Sequence, residues 1–144
     1  MANIVPDSFK TDLLKGTFNF DSSGGDTFKL ALYTDISGFS TSTTAYTTTN
    51  EVSSSGTGYT AAGNTLTNNG VSVGSNIAFV DFADLTFSSV TLTADSALIY
   101  KSSAGNEAVL VLDFGGDKTA TNGDFVIQFP TADSTNAIIR LGDA

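Results

Sequence analysis

Cysteine, histidine and tryptophan are absent from this chain of 144 residues, and lysine and arginine together number only six. The missing histidines and cysteines remove the commonest general base, the thiol nucleophile, the Ser-His-Asp arrangement and nearly every zinc site. Without cysteine no disulfide can form, so stability has to come from the hydrophobic core or from oligomerisation. We therefore expect a protein that is not an enzyme and that uses no cofactor and no metal.

The charge balance is strongly acidic, with 15 aspartates and glutamates and a net charge of −9. The basic residues are dispersed, whereas binding to a phosphate backbone needs them clustered. The net negative charge would also repel anionic lipid, and no cluster of basic residues offsets it. No apolar segment of the sequence approaches the ~20 residues of a membrane span, and residues 1–7 lack the basic start and apolar run of a signal peptide. We expect neither nucleic acid nor a membrane as a partner, and no export by the ordinary secretory signal.

Short apolar runs separated by turn-forming residues dominate what is present. Only 15% of the residues are charged, against roughly 25% in an average domain, and Ser, Thr, Gly and Asn carry the polarity instead. Three apolar runs, Ala97–Tyr100, Ala108–Phe114 and Phe125–Phe129, alternate with clusters of Gly, Asn, Asp and Ser. This pattern predicts three consecutive strands joined by turns, an antiparallel meander at the centre of the domain.

Further strands are predicted on both sides of this meander. Phe28–Leu32 alternates between apolar and other residues, Ile77–Phe82 is a strong apolar run, and weaker strands flank a turn at Asn68–Gly70. The remaining candidates are Leu85–Phe87, Val90–Thr93 and Ala137–Leu141. Eight to ten short strands predict an all-β fold, an antiparallel β-sandwich of jelly-roll or Greek-key type with a short N-terminal helix. We assign residues 1–16 to an N-terminal arm and residues 17–144 to a single sandwich domain.

The N-terminal arm carries the predicted helix. Asp7 or Ser8 can cap a helix that runs through Leu14 and ends at Gly16. A helix this short is marginal alone and has to dock on something. It either packs on its own sandwich or engages a neighbouring subunit, and in the second case its apolar residues would make the contact: Ile4, Val5, Phe9 and Leu13.

A long polar segment, Asp35–Thr57, interrupts the strand pattern. A segment of this length without apolar periodicity is either a functional loop or an irregular edge of the sheet. It could be a solvated loop, or an interaction surface to which three aromatic residues would contribute: Phe39, Tyr46 and Tyr59.

Two pairs of carboxylates are the candidates for a catalytic or metal site, Asp81 with Asp84 and Asp113 with Asp117. A glycosidase needs two carboxylates across a cleft, and calcium binds carboxylate and backbone oxygens. No EF-hand or β-roll spacing accompanies these residues, and an acidic β protein contains such pairs by chance. We interpret them as residues of turns and strand ends.

Several stretches follow one another over nearly the whole chain: FKTDLLKG from Phe9, DTFKLALYT from Asp26, Asn50–Val52, GYTAAGNTL from Gly58, VDF from Val80, ALIY from Ala97, AVLVLDF from Ala108 and FVIQFPTADSTNAIIR from Phe125. None of them is a catalytic motif. Taken together, they resemble a family of small virion structural proteins from tailed bacteriophages.

The resemblance implies a structural protein of the virion that is made in the bacterial cytoplasm, and we expect it on the outside of the capsid. We expect a capsid decoration or cement protein that binds the major capsid protein, stabilises the shell mechanically and forms a dimer or trimer. Residues 1–14 and the Asp35–Thr57 loop are the expected contact elements, and deleting residues 1–14 is expected to leave a folded domain. The alternative is a tail or fibre component whose loop, with Tyr46 and Tyr59, contacts host glycans.

Overall fold

Residues 2–142 are described by the computed structural model and form two packed antiparallel sheets with one short helix. The prediction of an all-β sandwich with a short N-terminal helix is therefore confirmed. The elements, in chain order, are α1 (Asp7–Leu14), β1 (Phe28–Tyr33), β2 (Asn64–Thr65), β3 (Asn68–Gly74), β4 (Ile77–Phe82), β5 (Leu85–Lys101), β6 (Ala108–Ile127) and β7 (Ile139–Leu141).

The chain crosses between the two sheets three times. Strands β2, β1, β5 and β6 form the four-stranded sheet in that order, and β3, β4 and β7 form the three-stranded sheet. The crossings fall between β2 and β3, between β4 and β5, and between β6 and β7. Because β6 stands last in the first order and β3 first in the second, each of these strands has one side without a neighbouring strand of its own sheet.

The predicted central meander is in fact one long hairpin of β5 and β6. The turn-forming clusters between Ala108–Phe114 and Phe125–Phe129, which are Gly115–Lys118 and Asn122-Gly123, lie inside β6, where the register shifts and the strand continues. Gly115, Gly116 and Asn122 have positive φ, which suits a bulge as well as a turn, so composition alone could not separate the two. The described residues therefore contain seven strands rather than eight to ten.

A second predicted turn is also a bulge. Asn68–Gly70 opens β3, where the pairing with β4 shifts by one residue. The reversal comes later, at Ser75 and Asn76, which both have positive φ. Gly74 and Ile77 pair directly on either side of them. Two residues with positive φ between paired strands are typical of a tight hairpin turn, and asparagine tolerates that conformation.

Helix α1 docks on its own sandwich through Phe9. This side chain is 4% exposed, and its ring lies 5.0 Å from that of Phe18 and 6.2 Å from that of Phe20, between centroids. Pro6 precedes the helix and no side chain caps it, so the predicted cap by Asp7 or Ser8 is wrong. Gly16 has a φ of +79° just after the helix, as expected for a glycine that ends one.

The segment before the helix extends the four-stranded sheet. Ile4 and Val111 exchange two backbone hydrogen bonds, each 2.9 Å long, so the N-terminal residues cover part of the free side of β6. The arm is thus built into the fold. Removing residues 1–14 would uncover Phe18 and Phe20, and we no longer expect such a deletion to leave an intact domain.

The half of the β5–β6 hairpin that packs beside β1 is buried on both faces. One face meets the main core between the sheets, which includes Leu30, Ile99 and Val109. The other face carries a second cluster of buried side chains, made of Ala31, Tyr33, Phe39, Leu98, Tyr100, Ala108 and Val111. The long polar segment covers this second face, because Phe39 belongs to that cluster and Ile36 and Tyr46 pack against it.

Candidate binding groove

A groove in the described part of the chain lies beside a wide bulge in β6. Asp113 pairs with Ser96 and Lys118 pairs with Ala94, so four residues of β6 stand opposite the single residue Asp95 of β5. Gly115 and Gly116 make this excursion possible, since their φ values of +73° and +128° are open to glycine and strained for other residues. The bulge carries Phe114 away from the regular ladder.

Three phenylalanines line the resulting groove, which has a volume of about 580 Å³. Phe114 and Phe125 lie with their ring centroids 6.0 Å apart, and Phe129 lies 5.8 Å from Phe82 of the main core. Phe114 and Phe129 are partly buried and pack against that core, which therefore supports the groove from below. The remaining apolar lining residues are Leu112, Val126, Ile127, Pro130 and Ile138.

Polar side chains line the rest of the groove, and several of them accept hydrogen bonds from backbone amides. The amide of Asp113 donates to Asn3 Oδ1 over 2.9 Å, and the amide of Gly115 donates to Asp113 Oδ1 over 2.8 Å. Asp124 Oδ1 accepts from the amide of Ser89 at 3.4 Å. These bonds fix the rim of the groove. The other polar lining residues are Lys118, Thr119 and Gln128.

The groove runs beside an open strand side. Ile4 covers β6 at Val111, and beyond the bulge β6 continues to Ile127 as the last strand of its sheet. Val126 is 54% exposed there. An unpaired strand offers a row of backbone donors and acceptors, and a neighbouring apolar groove can take side chains, so this arrangement suits an extended peptide.

The first carboxylate pair that the sequence offered, Asp81 with Asp84, makes structural hydrogen bonds. Asp81 Oδ2 accepts from Asn69 Nδ2 at 2.8 Å, and Asp84 Oδ1 accepts from the amide of Phe129 at the same distance. Within residues 2–142, no group of three or more aspartates and glutamates is placed to hold a metal ion. Asp81 lies next to the end of β4 and Asp84 between β4 and β5, as interpreted, whereas Asp113 and Asp117 lie inside β6, because the expected turn there is a bulge.

The four arm residues that are predicted to contact a partner differ in how exposed they are. Phe9 is buried in the core, Leu13 is partly buried against it, and Ile4 is engaged with Val111. Val5 is 38% exposed and keeps a free surface. A role of this arm in contacts stays a prediction that now rests on Val5 alone.

The three aromatic residues predicted for a loop surface face inward, which corrects that expectation. Phe39 is 7% exposed and Tyr59 is 3% exposed. Tyr46 is half-buried, and its ring stacks on that of Tyr100 with a centroid distance of 4.9 Å. The loop turns its serines and threonines outward and its aromatic residues toward the sheet, because the second face of the sheet needs an apolar cover.

One carboxylate connects these aromatic residues. Glu51 Oε1 accepts from the Tyr59 hydroxyl at 2.8 Å and from the Ala62 amide at 2.6 Å, and Glu51 Oε2 accepts from the Tyr46 hydroxyl at 2.7 Å. The Tyr33 hydroxyl donates to the Thr47 carbonyl at 2.7 Å. At the base of an otherwise apolar cover, the Glu51 carboxylate is thus the acceptor for three donors, and the Thr47 carbonyl is the acceptor for the fourth.

Burial and the nearby Glu51 charge both raise the tyrosine pKa values. Burial is the larger cause for all four tyrosines of the chain, because it disfavours the charged phenolate. The pKa of Tyr100 rises to about 12, and the pKa values of Tyr33, Tyr46 and Tyr59 rise further. None of these hydroxyls is therefore a candidate base near neutral pH.

Sequence reasoning missed both the groove and the Glu51 network. Phe114, Phe125 and Phe129 fall in predicted strands, and the signal for the bulge after Phe114 is the Gly115-Gly116 pair, which the sequence pattern predicts as a turn. For Glu51 the signal was an isolated acid inside a Ser/Thr-rich segment that also contains tyrosines.

Comparison with protein-family models, with curated proteins and with solved structures finds no match for this chain. Among the helices of residues 2–142, none is long and apolar enough to cross a membrane.

Proposed function

We propose that this protein is a non-enzymatic decoration protein of a tailed-phage virion, and that its groove along β6 receives an extended segment of the major capsid protein. The observation that carries this proposal is the open side of β6 beside a groove lined by three phenylalanines. The family resemblance supports the assignment to a virion, and the groove supports the choice of attachment site. Synthesis in the host cytoplasm and a position on the capsid exterior belong to the same proposal.

An extended peptide fits this site better than a compact ligand. Main-chain hydrogen bonds to the free side of β6 would give affinity, and alternate side chains of the peptide would enter the groove. The groove residues Phe114 and Phe129 rest on the main core, so the surface is formed before binding and loses little entropy when it is occupied. A rigid sandwich that holds one shell segment would add contact area to the mature lattice and stabilise it by mass action.

The alternative, a tail or fibre component that contacts host glycans, has less support from the fold. Its aromatic candidates Tyr46 and Tyr59 have their hydroxyls bonded to Glu51, and Tyr59 is buried. A glycan would have to use the Phe-lined groove instead, whose rim offers Asn3, Asp124 and Gln128.

Copy number in purified virions, measured by quantitative mass spectrometry against the major capsid protein, tests the assignment. A decoration protein is expected at a simple fraction of the shell subunit or in equal number. A few copies to a few dozen per particle would favour the tail alternative, and absence from virions would overturn both.

Attachment through the groove is tested with shells that lack the protein. Val126→Lys places a charge in the groove at a side chain that is 54% exposed, so the fold should tolerate it. Leu14→Lys is the matched control, because Leu14 is 82% exposed on the helix and does not line the groove. We expect Val126→Lys to lose attachment and Leu14→Lys to keep it, and equal attachment by both would rule out the groove as the contact site.

A further inference from the structure

The outer side of β3 is a second open strand side, and it differs from that of β6. Its first residues are shielded, since Asn68 Nδ2 donates to the Phe20 carbonyl at 3.0 Å and Gly70 lies close to Ser22. Residues 71–74 follow, and we call them the valine edge. Val71 is 50% and Val73 is 73% exposed there, whereas valine is usually a core residue.

Charge does not protect the valine edge. The chain has no charged residue from Val52 to Val80, although its net charge is −9. Natural proteins usually guard an open strand with lysine, proline or an inward-pointing charge. Asp81 is the nearest acid on the neighbouring strand, where it pairs with Gly70 and accepts a hydrogen bond from Asn69. A second copy of the chain, repelled by like charge over most of its surface, could approach here without that repulsion.

The valine edge is also complementary to itself. Val71 and Val73 point to the same face of the sheet, because alternate residues of a strand share a face. In an antiparallel pair of two β3 strands related by a two-fold axis at Ser72, Val71 of each copy stands opposite Val73 of the other. Shifting the axis to Val71 or to Val73 would leave one valine of each copy opposite a polar residue, Asn69 or Ser75. The Ser72 register is the one that pairs all four valines.

We propose that the protein forms a symmetric dimer through its valine edges, in which two three-stranded sheets join into one sheet of six strands. The partner is a second copy because a two-fold contact presents the same patch from both sides, and this patch fits its own copy. The dimer leaves the β6 groove on each copy open, since the groove lies on the other sheet.

Sedimentation of the purified protein over a wide range of concentrations tests the dimer without any shell. We expect a molar mass twice that of the 14.8-kDa chain, falling to one chain on dilution. Val73→Lys should abolish the dimer. Val126→Lys is the matched control, since Val126 is a 54% exposed valine on the open strand of the other sheet. A monomer at every concentration, or a dimer that survives Val73→Lys, would overturn the proposal.

A cross-link tests the register independently of the lysine variant. The chain has no cysteine, so Ser72→Cys adds a single thiol at the expected two-fold axis. Under oxidation we expect a covalent dimer from Ser72→Cys and none from Val126→Cys. Failure of Ser72→Cys to cross-link while the dimer persists would refute the Ser72 register. Because both experiments use the protein alone, their result does not depend on whether the protein binds a capsid.

Discussion

The carboxylate of Glu51 lies 2.8 Å from the hydroxyl of Tyr59, and this hydrogen bond joins the polar loop to the chain that follows it. The Tyr59 hydroxyl in turn accepts from the amide of Leu32 in β1 at 3.1 Å. The same carboxylate holds Tyr46, which stacks on Tyr100 of β5. One acidic side chain thereby ties the cover of the second sheet face to two strands of that sheet.

Glu51→Ala should be among the most destabilising polar substitutions of this chain. It removes the acceptor of three hydrogen bonds, two from tyrosine hydroxyls and one from the Ala62 amide. Donors left without an acceptor in a covered site cost roughly 1–3 kcal/mol each, so we expect a loss of about 2–4 kcal/mol in the free energy of unfolding after partial rehydration. Urea unfolding followed by circular dichroism measures it.

Glu107→Ala is the matched control for this substitution. Glu107 is the other glutamate of the chain and accepts from the Ser103 hydroxyl within the hairpin turn. The bond is local, and we expect a loss of about 1 kcal/mol or less. Glu51→Gln should fall between the two alanine variants, because an amide keeps one acceptor oxygen. Equal losses for Glu51→Ala and Glu107→Ala would show that the Glu51 network does not hold the loop.

Alkaline pH should unfold the protein as its tyrosines ionise. The folded-state pKa of each tyrosine is raised above the unfolded value near 10, chiefly by burial and further by the Glu51 charge. The resulting stability is therefore fully present below pH 10 and is lost as the pH rises through the folded pKa values, of which that of Tyr100 is about 12.

Absorbance at 295 nm follows tyrosinate directly, and no tryptophan interferes. In the native protein we expect little tyrosinate until circular dichroism also reports unfolding, above the pH at which the denatured chain titrates. Four tyrosines that titrate near pH 10 in a protein that stays folded would contradict the buried network.

Gly63→Ala should be far more damaging than Gly56→Ala. Both glycines have φ near +75°, where a Cβ is strained. A Cβ at Gly63 would also overlap the carbonyl of Leu30 in β1, whereas a Cβ at Gly56 meets nothing within 4 Å. We expect about 1 kcal/mol for Gly56→Ala and roughly 3 kcal/mol or more for Gly63→Ala. Thermal unfolding of the two variants compares them, and similar melting temperatures would mean that the backbones of residues 30 and 63 are not in close contact.

Sequence patterns predicted the fold class well because they report what each strand buries. Phe28–Leu32 and Ile77–Phe82 lie within β1 and β4 as expected. The patterns could not tell a turn from a bulge at Gly115-Gly116 or at Asn68–Gly70, because both structures use the same residue types and differ only in whether the strand continues. That choice depends on pairing with a strand elsewhere in the chain.

The site was harder to predict than the fold for a related reason. A polar segment that covers an apolar sheet face looks, in sequence, like a solvated loop, and only the inward placement of Phe39 and Tyr46 distinguishes them. The groove likewise requires Phe114, which lies at a strand bulge, and Phe129, which lies in the chain segment after β6, to line the same space. Contacts between distant parts of the chain leave no periodicity in either part.

The hydrogen bond between Asn3 and Asp113 joins residues 110 positions apart, and this separation constrains the order in which the chain folds during synthesis. Ile4 leaves the ribosome long before Val111, the residue with which it pairs, and is therefore among the last residues to find its place. Until Val111 is made, the apolar N-terminal segment around Ile4 has no strand with which to pair. The β5–β6 hairpin, whose strands are neighbours in sequence, can close early and form the surface on which that N-terminus finally settles.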